Sequence, residues 1–431
     1  MSIYSQQVIL NGDLNGTTTF TFTNTSKTVL VINEPDYSQF TITRFTMSNI
    51  IISNLQAPFL IVNSNQTMVN VNIDNCNFQN ITLPQSLFTL NSESVPIQFE
   101  VTNTTYSNST SSFYTGFNIN LKLLNSNFLD NQLNQNQSLI ISNSDNIDIN
   151  NCQFLYNRIS SHLIDIRQSN QIRVNTSIFS QNILLNNHSS DKMYNSLMSI
   201  ESQQIFIESV QLNMNINISG IWLFSNSVAQ LTNLQYSSNQ VDNQSTLLWC
   251  GQNSIVNLTS TIFSNNWSYI GPLITTFNSS LSLESCQFSD NIGNISEIDS
   301  SDVTFSQITL NSNTNFHLFT CFNSSIQFQD TTSININSLI QQSQVTCLDN
   351  SCQINGIYSN SANCLLTQTP TPTPSITNNS KTKSARIALI VILSVSSAAL
   401  IIGIISYYFI IYRKQHALQS YDKLTSNYPL L

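Results

Sequence analysis

Alternating apolar and polar residues form a repeating unit along most of the chain, and residues 138–157 show it most plainly. Ile147 and Ile149 alternate with polar neighbours, Phe154 follows seven residues after Ile147, and Asn157 stands three residues beyond Phe154. Alternation with a period of two predicts a β-strand with one apolar face. The unit is therefore interpreted as an alternating strand, an apolar anchor and a trailing asparagine.

The same unit recurs along the chain with a drifting period of about 26 residues. The anchors predicted from it are Met47, Phe78, Tyr106, Phe128, Phe154, Phe179, Leu212, Tyr236, Phe263, Phe288 and Leu310. One unit of this length cannot bury its own apolar face, so a stacked array is expected. In the central units the trailing asparagine tolerates the left-handed backbone of a sharp corner, and successive asparagines can form a ladder of side-chain amides.

The polar side chains of the chain are mainly uncharged. Only 8% of the 431 residues are charged, against roughly 25% in an ordinary soluble protein. Tracts rich in Asn and Gln are also typical of disordered chains. The fixed apolar spacing favours a folded array instead, so residues 40–340 are interpreted as one elongated repeat domain.

Charge is unevenly distributed along the chain. No Lys or Arg occurs between Met193 and Ser380, whereas the same stretch carries ten Asp and Glu residues. A surface without basic side chains has nothing to neutralise phosphates or uronates. The sequence therefore predicts that the protein does not bind nucleic acid and that this half does not bind acidic polysaccharide.

The repeat resembles the right-handed parallel β-helix proteins of the pectin-lyase-like type. The resemblance rests on the F-x-x-N anchors, such as residues 154–157, and on the length of the unit. It implies coils of three short strands that stack at a spacing of ~4.8 Å. No segment before residue 380 shows the i, i+3, i+4, i+7 apolar pattern of a helix. An all-β, right-handed parallel β-helix solenoid is therefore predicted.

Cysteines are concentrated at the end of the repeat. Four of the eight form a C-terminal group: Cys321, Cys347, Cys352 and Cys364. Disulfides within this group would close the solenoid in an oxidising compartment. Zinc is the alternative, but Cys347 and Cys352 lack a nearby His and the C-x-x-C spacing of zinc sites. Cys76, Cys152 and Cys286 recur at least three coils apart, which is too far for them to pair with one another.

The C-terminal part has the features of a membrane anchor. A Pro/Thr tract at residues 367–377 predicts an extended stalk. Ile387 to Tyr412 is a run of 26 uncharged residues, longer than the ~20 residues that cross a bilayer. A buried core helix is the alternative, which this length disfavours. The fold class predicted for the whole chain is thus an all-β solenoid with one C-terminal transmembrane helix.

The orientation of this span rests on features outside it. Three basic residues flank the span on each side, so the positive-inside rule does not decide. The cysteine group and the stalk favour an extracellular N-terminal domain at the plasma membrane and a cytoplasmic tail. Tyr421 and Leu424 of that tail match a tyrosine-based sorting signal, with an inert tail as the alternative. Sequons make Asn103, Asn257 and Asn266 candidates for glycosylation.

These features divide the chain into six segments. The first 39 residues carry short strands but neither the basic start nor the apolar run of a signal peptide, which favours a chain that begins inside a longer domain. The predicted segments are N-terminal solenoid strands at 1–39, the β-helix repeat at 40–340, a Cys-rich cap at 341–366, a Thr/Pro/Ser stalk at 367–385, the transmembrane helix at 386–412 and the cytoplasmic tail at 413–431.

Candidate catalytic residues are few. The sequence lacks the G-H-G and R-I-K signatures of polygalacturonases and a Ser/His/Asp order with a supporting motif. One mixed-charge group consists of Arg158, His162, Asp165, Arg167 and Arg173, and its weak catalytic candidates are Asp165, Arg167 and Arg173. Asp165 stands between two isoleucines, so its side chain is expected to point outward onto a face. The group could hold a sugar acid, and ordinary surface ion pairs are the alternative.

The predicted function is a structural, adhesive or recognition role at the cell surface, without enzymatic activity, cofactor or metal. Its partners would be the lipid bilayer and an extracellular glycan or protein ligand. The alternative is a membrane-anchored polysaccharide-active enzyme or carbohydrate-binding module that uses Asp165. Glu297, Asp299 and Asp302 could hold calcium, and solvated turn residues explain this acidic group at least as well.

Overall fold

The computed structural model describes residues 7–11, 18–21, 30–33, 44–55, 58–64, 69–133, 137–185, 195–241, 245–314, 319–329, 345–347, 352–356 and 359–363. Every regular element within these ranges is a β-strand. Successive turns of the chain pair in parallel and build a β-solenoid of about 10 turns. The all-β class and the β-helix repeat predicted from the sequence are therefore confirmed.

Three faces, each built from parallel strands, form the wall of the solenoid. Face 1 consists of Leu30–Asn33, Leu60–Ser64, Phe88–Ser92, Tyr114–Phe117, Ile140–Asn143, the first halves of Ile164–Asn175 and Ser196–Glu208, Ser219–Phe224, Leu248–Gly251, the second halves of Trp267–Phe277 and Ile292–Asp299, Phe319–Phe322 and Val345–Cys347. Face 2 consists of Gln7–Asn11, Arg44–Ser48, Asn70–Asp74, Ile97–Thr102, Ile119–Leu124, Asn146–Asn150, the second halves of Ile164–Asn175 and Ser196–Glu208, Val228–Thr232, Ile255–Thr259, Ser280–Glu284, Asp302–Ser306, Ser325–Gln329 and Gln353–Gly356.

Face 3 carries the anchors, and its strands are short. It consists of Thr18–Thr21, Ile50–Ser53, Asn77–Gln79, Thr105–Ser107, Asn127–Leu129, Gln153–Leu155, Ile178–Ser180, Gln211–Asn213, Gln235–Ser237, Ile262–Ser264, Gln287–Ser289 and Thr309–Asn311. A further short ladder follows face 3 in the central turns and consists of Arg158–Ile159, Ile183–Leu184, Gln240–Val241 and the first residues of Trp267–Phe277 and Ile292–Asp299.

The apolar positions of the unit fill the interior as rows that run along the solenoid. On face 2, Ile147 lies in register between Leu121 and Ile172. On face 3, Phe154 is fully buried, and its ring centroid is 4.9 Å from that of Phe128 and 4.6 Å from that of Phe179. The anchors from Phe78 to Leu310 pair in the predicted order.

The first anchor prediction, Met47, is wrong. Met47 lies on face 2, where it pairs with Ile73, and Ile52 is the residue that lies beside Phe78 on face 3. Phe45 and Met47 are the alternating pair of this turn, and Ile52 follows Phe45 by the expected seven residues. The repeating unit also fits Met47, because the residues before Met47 have the same apolar spacing as those before Ile52.

The trailing asparagines form the predicted amide ladder. From Asn131 to Asn291, each side-chain Nδ2 donates to the Oδ1 of the asparagine in the next turn and to the backbone oxygen of an anchor in the preceding turn, as Asn157 does to Asn182 at 3.0 Å and to Phe128 at 3.0 Å. The ladder members are Asn131, Asn157, Asn182, Asn215, Asn239, Asn266, Asn291 and Asn313. The sequence thus predicted the ladder itself.

The corner residue, however, is not the asparagine of the ladder. The left-handed backbone conformation belongs to the residue before it, such as Tyr156 with φ of 59° and Met214 with φ of 55°. A second left-handed residue precedes each face 3 strand, for example Asn151 and Asn233. The prediction of a left-handed ladder asparagine was wrong by one position, because the asparagine has to turn inward to reach its neighbours.

The parallel ladder continues past residue 340, where Gln353–Gly356 pairs with Ser325–Gln329. Ser359–Asn363 then pairs with Gln353–Gly356 in the antiparallel sense. A disulfide joins Cys321 to Cys352 with a Cα–Cα distance of 6.1 Å, so two members of the C-terminal cysteine group pair as expected. Cys364 lies outside the described residues.

Four other cysteines of the described residues, Cys76, Cys152, Cys250 and Cys286, are buried and unpaired. The predicted absence of bonds among Cys76, Cys152 and Cys286 is confirmed. Burial raises the pKa of each of these three thiols to about 11. They are therefore uncharged at neutral pH and serve as small core residues.

No helix in the described part of the chain is long and apolar enough to cross a membrane. The predicted span from Ile387 to Tyr412, the stalk and the tail with Tyr421 and Leu424 lie outside the described residues.

Candidate functional site

A bend in the strand Ile164–Asn175 separates the charged residues that the sequence grouped together. Gln168 adopts a left-handed φ of 54°, so the first half of the strand lies on face 1 and the second half on face 2. Asp165 and Arg167 consequently share the outer side of face 1, while Arg173 lies on face 2. The structure thus brings two of the three catalytic candidates together.

Asp165 and Arg167 form an ion pair at the surface of face 1. An Nη of Arg167 lies 2.6 Å from one carboxylate oxygen of Asp165, and its Nε also donates to the carboxylate at 3.1 Å. Asp165 points away from the core, as alternation predicts, but it is 4% exposed. The side chain is nevertheless buried, because Arg167 covers it from solvent and Ile141 and Ser199 flank it in the adjacent turns.

His162 lies near this pair, and its Nδ1 is 3.0 Å from the Oγ of Ser196. Burial lowers the pKa of His162, so the imidazole is neutral at neutral pH. The carboxylate of Asp165 is held by Arg167 rather than by this histidine, and Ser196 is fully buried. A serine nucleophile needs an accessible hydroxyl and an oriented base, so these residues do not form a catalytic triad.

The remaining basic residues of the predicted group have separate environments. The guanidinium of Arg173 lies over the ring of Phe206, 5.7 Å from its centroid, and Arg173 pairs in register with Asp148. Arg158 is exposed in the short ladder after face 3. Neither contributes to a site with Asp165.

The ion pair allows a test of a structural role. Arg167→Gln should lower the free energy of unfolding by about 1–3 kcal/mol, because it leaves a buried carboxylate without its charged partner. The Asp165→Asn/Arg167→Gln double variant should recover part of this loss in a urea titration. If the losses of the single variants Asp165→Asn and Arg167→Gln simply added up in the double variant, the coupling that the geometry implies would be contradicted.

A cluster of aromatic side chains occupies the same outer side of face 1, several turns further along. Trp222 lies between Ile221 and Leu223, which both belong to the core, so Trp222 points outward, although it is only 3% exposed. Its ring stacks on that of Trp249, with centroids 4.9 Å apart and planes at 18°. We call Trp222, Phe224, Trp249 and Phe277 the aromatic strip. Phe277 is 43% exposed, so the strip reaches solvent.

Gly251 allows the ring of Trp249 to lie flat on the sheet. A Cβ added at Gly251 would come within 2.1 Å of a carbon at the tip of that ring. The indole therefore fills the position of the missing side chain, between the positions of Phe224 and Phe277 in neighbouring turns. Phe224 also contacts the indole, with ring centroids 5.0 Å apart. The aromatic strip thus spans three turns, with ring contacts among Trp222, Phe224 and Trp249 and with Phe277 in register with Gly251.

Carboxylates border the strip at both ends. Glu201 pairs in register with Phe224, and Asp299 pairs with Phe277. Glu297 is the outward neighbour of Asp299 on the same strand, and its pKa is raised by partial burial and by the charge of Asp299. We call Glu201, Glu297 and Asp299 the border acids. None of them makes an ion pair with a described residue.

The aromatic strip was not singled out from the sequence. The repeat pattern was used there to find the inward anchors, without examining the outward positions of the strands. The available signal was the alternation itself, because Trp222 and Trp249 occupy the same outward position of consecutive units. A large aromatic residue repeated at an outward position indicates a surface role rather than a core role.

The structure also places the other candidate residues. Asn266 is 1% exposed, and its Nδ2 donates to Tyr236 and Asn291, so a glycan has no room there in the folded chain. Asn103 and Asn257 are exposed. The proposed calcium group is divided, because Glu297 and Asp299 lie on face 1 and Asp302 begins a face 2 strand.

No protein-family model matches this sequence, and no curated protein matches it either.

Proposed function

We propose that this chain is a non-enzymatic recognition protein of the cell surface that binds its ligand on the outer side of face 1. In this proposal the solenoid is a right-handed β-helix of the pectin-lyase-like type. It stands outside the plasma membrane on the stalk at residues 367–385 and is anchored by Ile387 to Tyr412. Adhesion is the simplest biological use of such a rod.

The aromatic strip is the observation that carries the proposal. Its four side chains lie outside the core cluster, and three of them, Trp222, Phe224 and Trp249, contact one another through their rings. Ordered outward aromatic residues supply large contact area at a low entropic cost, and binding sites are enriched in them.

Two features support the extracellular location. The disulfide between Cys321 and Cys352 is typical of proteins from oxidising compartments. Asn103 and Asn257 stand on the surface, where a glycosyltransferase could reach them. Both features agree with the cysteine and stalk pattern on which the predicted topology rests.

A substitution at Gly251 tests the role of the strip. Gly251→Ala should weaken ligand binding about tenfold, because its methyl group forces the Trp249 ring off the sheet while leaving every charge in place. The measurement is binding of the purified full-length chain, in mild detergent, to arrays of glycans and of basic, neutral and acidic peptides.

Ser282→Ala on the outer side of face 2 is the control for this test, since it changes one small residue away from the strip. Absence of binding to every probe, or equal binding by both variants, would overturn the proposal. Cleavage of pectate, pectin or a neutral glucan, lost in Asp165→Asn, would instead favour a polysaccharide-active enzyme.

A further inference from the structure

We propose that the aromatic strip and its border acids bind an extended, positively charged peptide segment of another protein. This inference rests on the proposed function and names the ligand class of the same surface. The border acids would pair with lysine or arginine side chains at the two ends of the segment, and the aromatic rings would contact the stems and cationic groups between them.

The aromatic part of the surface suits cations. The face of an aromatic ring carries negative electrostatic potential, and a lysine or arginine placed over tryptophan gains more than over the other rings. Trp249 lies flat over Gly251, so it presents a ring face rather than an edge to whatever covers the sheet. Lysine and arginine also have long apolar stems that pack against such a surface.

The charge of this side of the solenoid is complementary to a basic segment. No Lys or Arg occurs between Met193 and Ser380, so the stretch that supplies the strip and the border acids has no basic residue of its own. Arg167 lies beyond Glu201 toward the N-terminal end, where it forms its ion pair with Asp165 and is attracted more weakly by the charge of Glu201. Partial burial raises the pKa of Glu297, and the charge of nearby Asp299 raises it further. A positive group would relieve that repulsion.

The spacing of the border acids sets the length of the segment. Glu201, Phe224, Gly251, Phe277 and Asp299 occupy successive turns at the same outward position. Four steps of ~4.8 Å separate the two acids by ~19 Å, which an extended chain covers in about six residues. An acidic ligand is disfavoured by the same charges, and a neutral glycan would leave the border acids without a partner.

Hexalysine is the probe for this inference. Binding of fluorescein-labelled hexalysine to the purified full-length chain, in mild detergent, is measured by fluorescence anisotropy beside hexaglutamate and a neutral Gly/Ser hexapeptide. We expect hexalysine alone to bind, and we expect the Glu297→Gln/Asp299→Asn variant to bind it about tenfold more weakly. Phe277→Ala should weaken binding as well, although it leaves the charge unchanged.

Matched controls separate this site from the overall negative charge of the protein. Glu284→Gln/Asp302→Asn also removes two negative charges, but from exposed positions of face 2 in the neighbouring turns. Phe117→Ala removes a phenylalanine that is 50% exposed and lies outside the strip, three turns before Glu201. Both controls should change hexalysine affinity by less than about twofold.

The outcomes distinguish the two levels of the proposal. Equal losses in the test and control charge variants would show diffuse attraction and overturn the peptide site. Binding of a neutral glycan that depends on Phe277, without binding of hexalysine, would overturn this inference but keep the recognition function. If neither probe depends on the strip, the proposed function fails together with this inference.

Discussion

Replacing Asn215 by aspartate should lower the free energy of unfolding by more than about 4 kcal/mol at neutral pH. Asn215 is 1% exposed. Its Nδ2 donates to the backbone oxygen of Phe179 and to Oδ1 of Asn239, both at 2.9 Å. Aspartate keeps the size of the side chain but turns this donor into an acceptor, so two pairs of oxygens face each other in the buried ladder.

The pH dependence of this loss has a definite sign. The oxygens of Phe179 and Asn239 and the burial of the site would raise the folded-state pKa of the new carboxyl above its unfolded value. The charge penalty is then absent below the unfolded pKa, about 3.9, and reaches its full size once the pH exceeds the folded pKa. Urea titrations should therefore show a smaller difference from the natural chain at acid pH than at pH 7.

Replacement of the exposed Asn257 by aspartate is the control for the effect of the new carboxylate itself. Asn257→Asp introduces the same charge on the outer side of face 2 and should alter stability by no more than about 0.5 kcal/mol. If Asn215→Asp were as mild as Asn257→Asp, the ladder would contribute little to stability, and the side-chain amides would only mark the register of the turns.

Rows of stacked residues were predictable because they depend on spacing alone. The order of the anchors from Phe78 to Leu310 and the amide ladder both follow from a unit that recurs in one chain. Each turn repeats the environment of the turn before, so a local pattern becomes a long-range contact without further information. The Met47 prediction failed where two apolar spacings overlapped and only the pairing with Ile73 decided between them.

Features that depend on neighbouring turns were not predictable in the same way. The burial of Asp165 depends on Arg167 in its own strand and on the residues that flank it in the turns above and below. The separation of Arg173 from Asp165 depends on the bend at Gln168, a residue type that gives no strong turn signal. Face 1 therefore had to be seen before its charges and aromatic rings could be assigned to one side.

The interior and the exterior of the solenoid are determined by different sets of residues. In the interior, residues at the same position of each turn form continuous rows, which makes the wall rigid and regular. The exterior is free to vary, because an outward residue on face 1 does not enter the buried rows. The aromatic strip is such a variation in the turns from Ser219–Phe224 to Trp267–Phe277, and single exposed phenylalanines, Phe117 and Phe322, stand on the same side in other turns. A regular wall that carries a local group of outward aromatic side chains is what a binding site on this fold requires.

Phe154→Asp should have an effect as large as that of Asn215→Asp. The ring of Phe154 is fully buried and stacks on Phe128 and Phe179 with interplanar angles of 5° and 7°. Phe154→Ala alone should cost about 3–5 kcal/mol through lost contacts and the cavity that remains. Aspartate adds the cost of burying a carboxyl group with no hydrogen-bond partner, so the loss should exceed that of alanine.

Tyr156→Asn is the matched control, two residues away on the same turn. Tyr156 is 50% exposed and has a left-handed backbone, which asparagine tolerates better than tyrosine does. This variant should keep the stability of the natural chain, whereas Phe154→Asp should shift the urea midpoint of the far-ultraviolet circular dichroism signal strongly downward. Similar midpoints for the two variants would mean that the stacked anchors do not form the core of the solenoid, and the order of rows on face 3 would have to be abandoned.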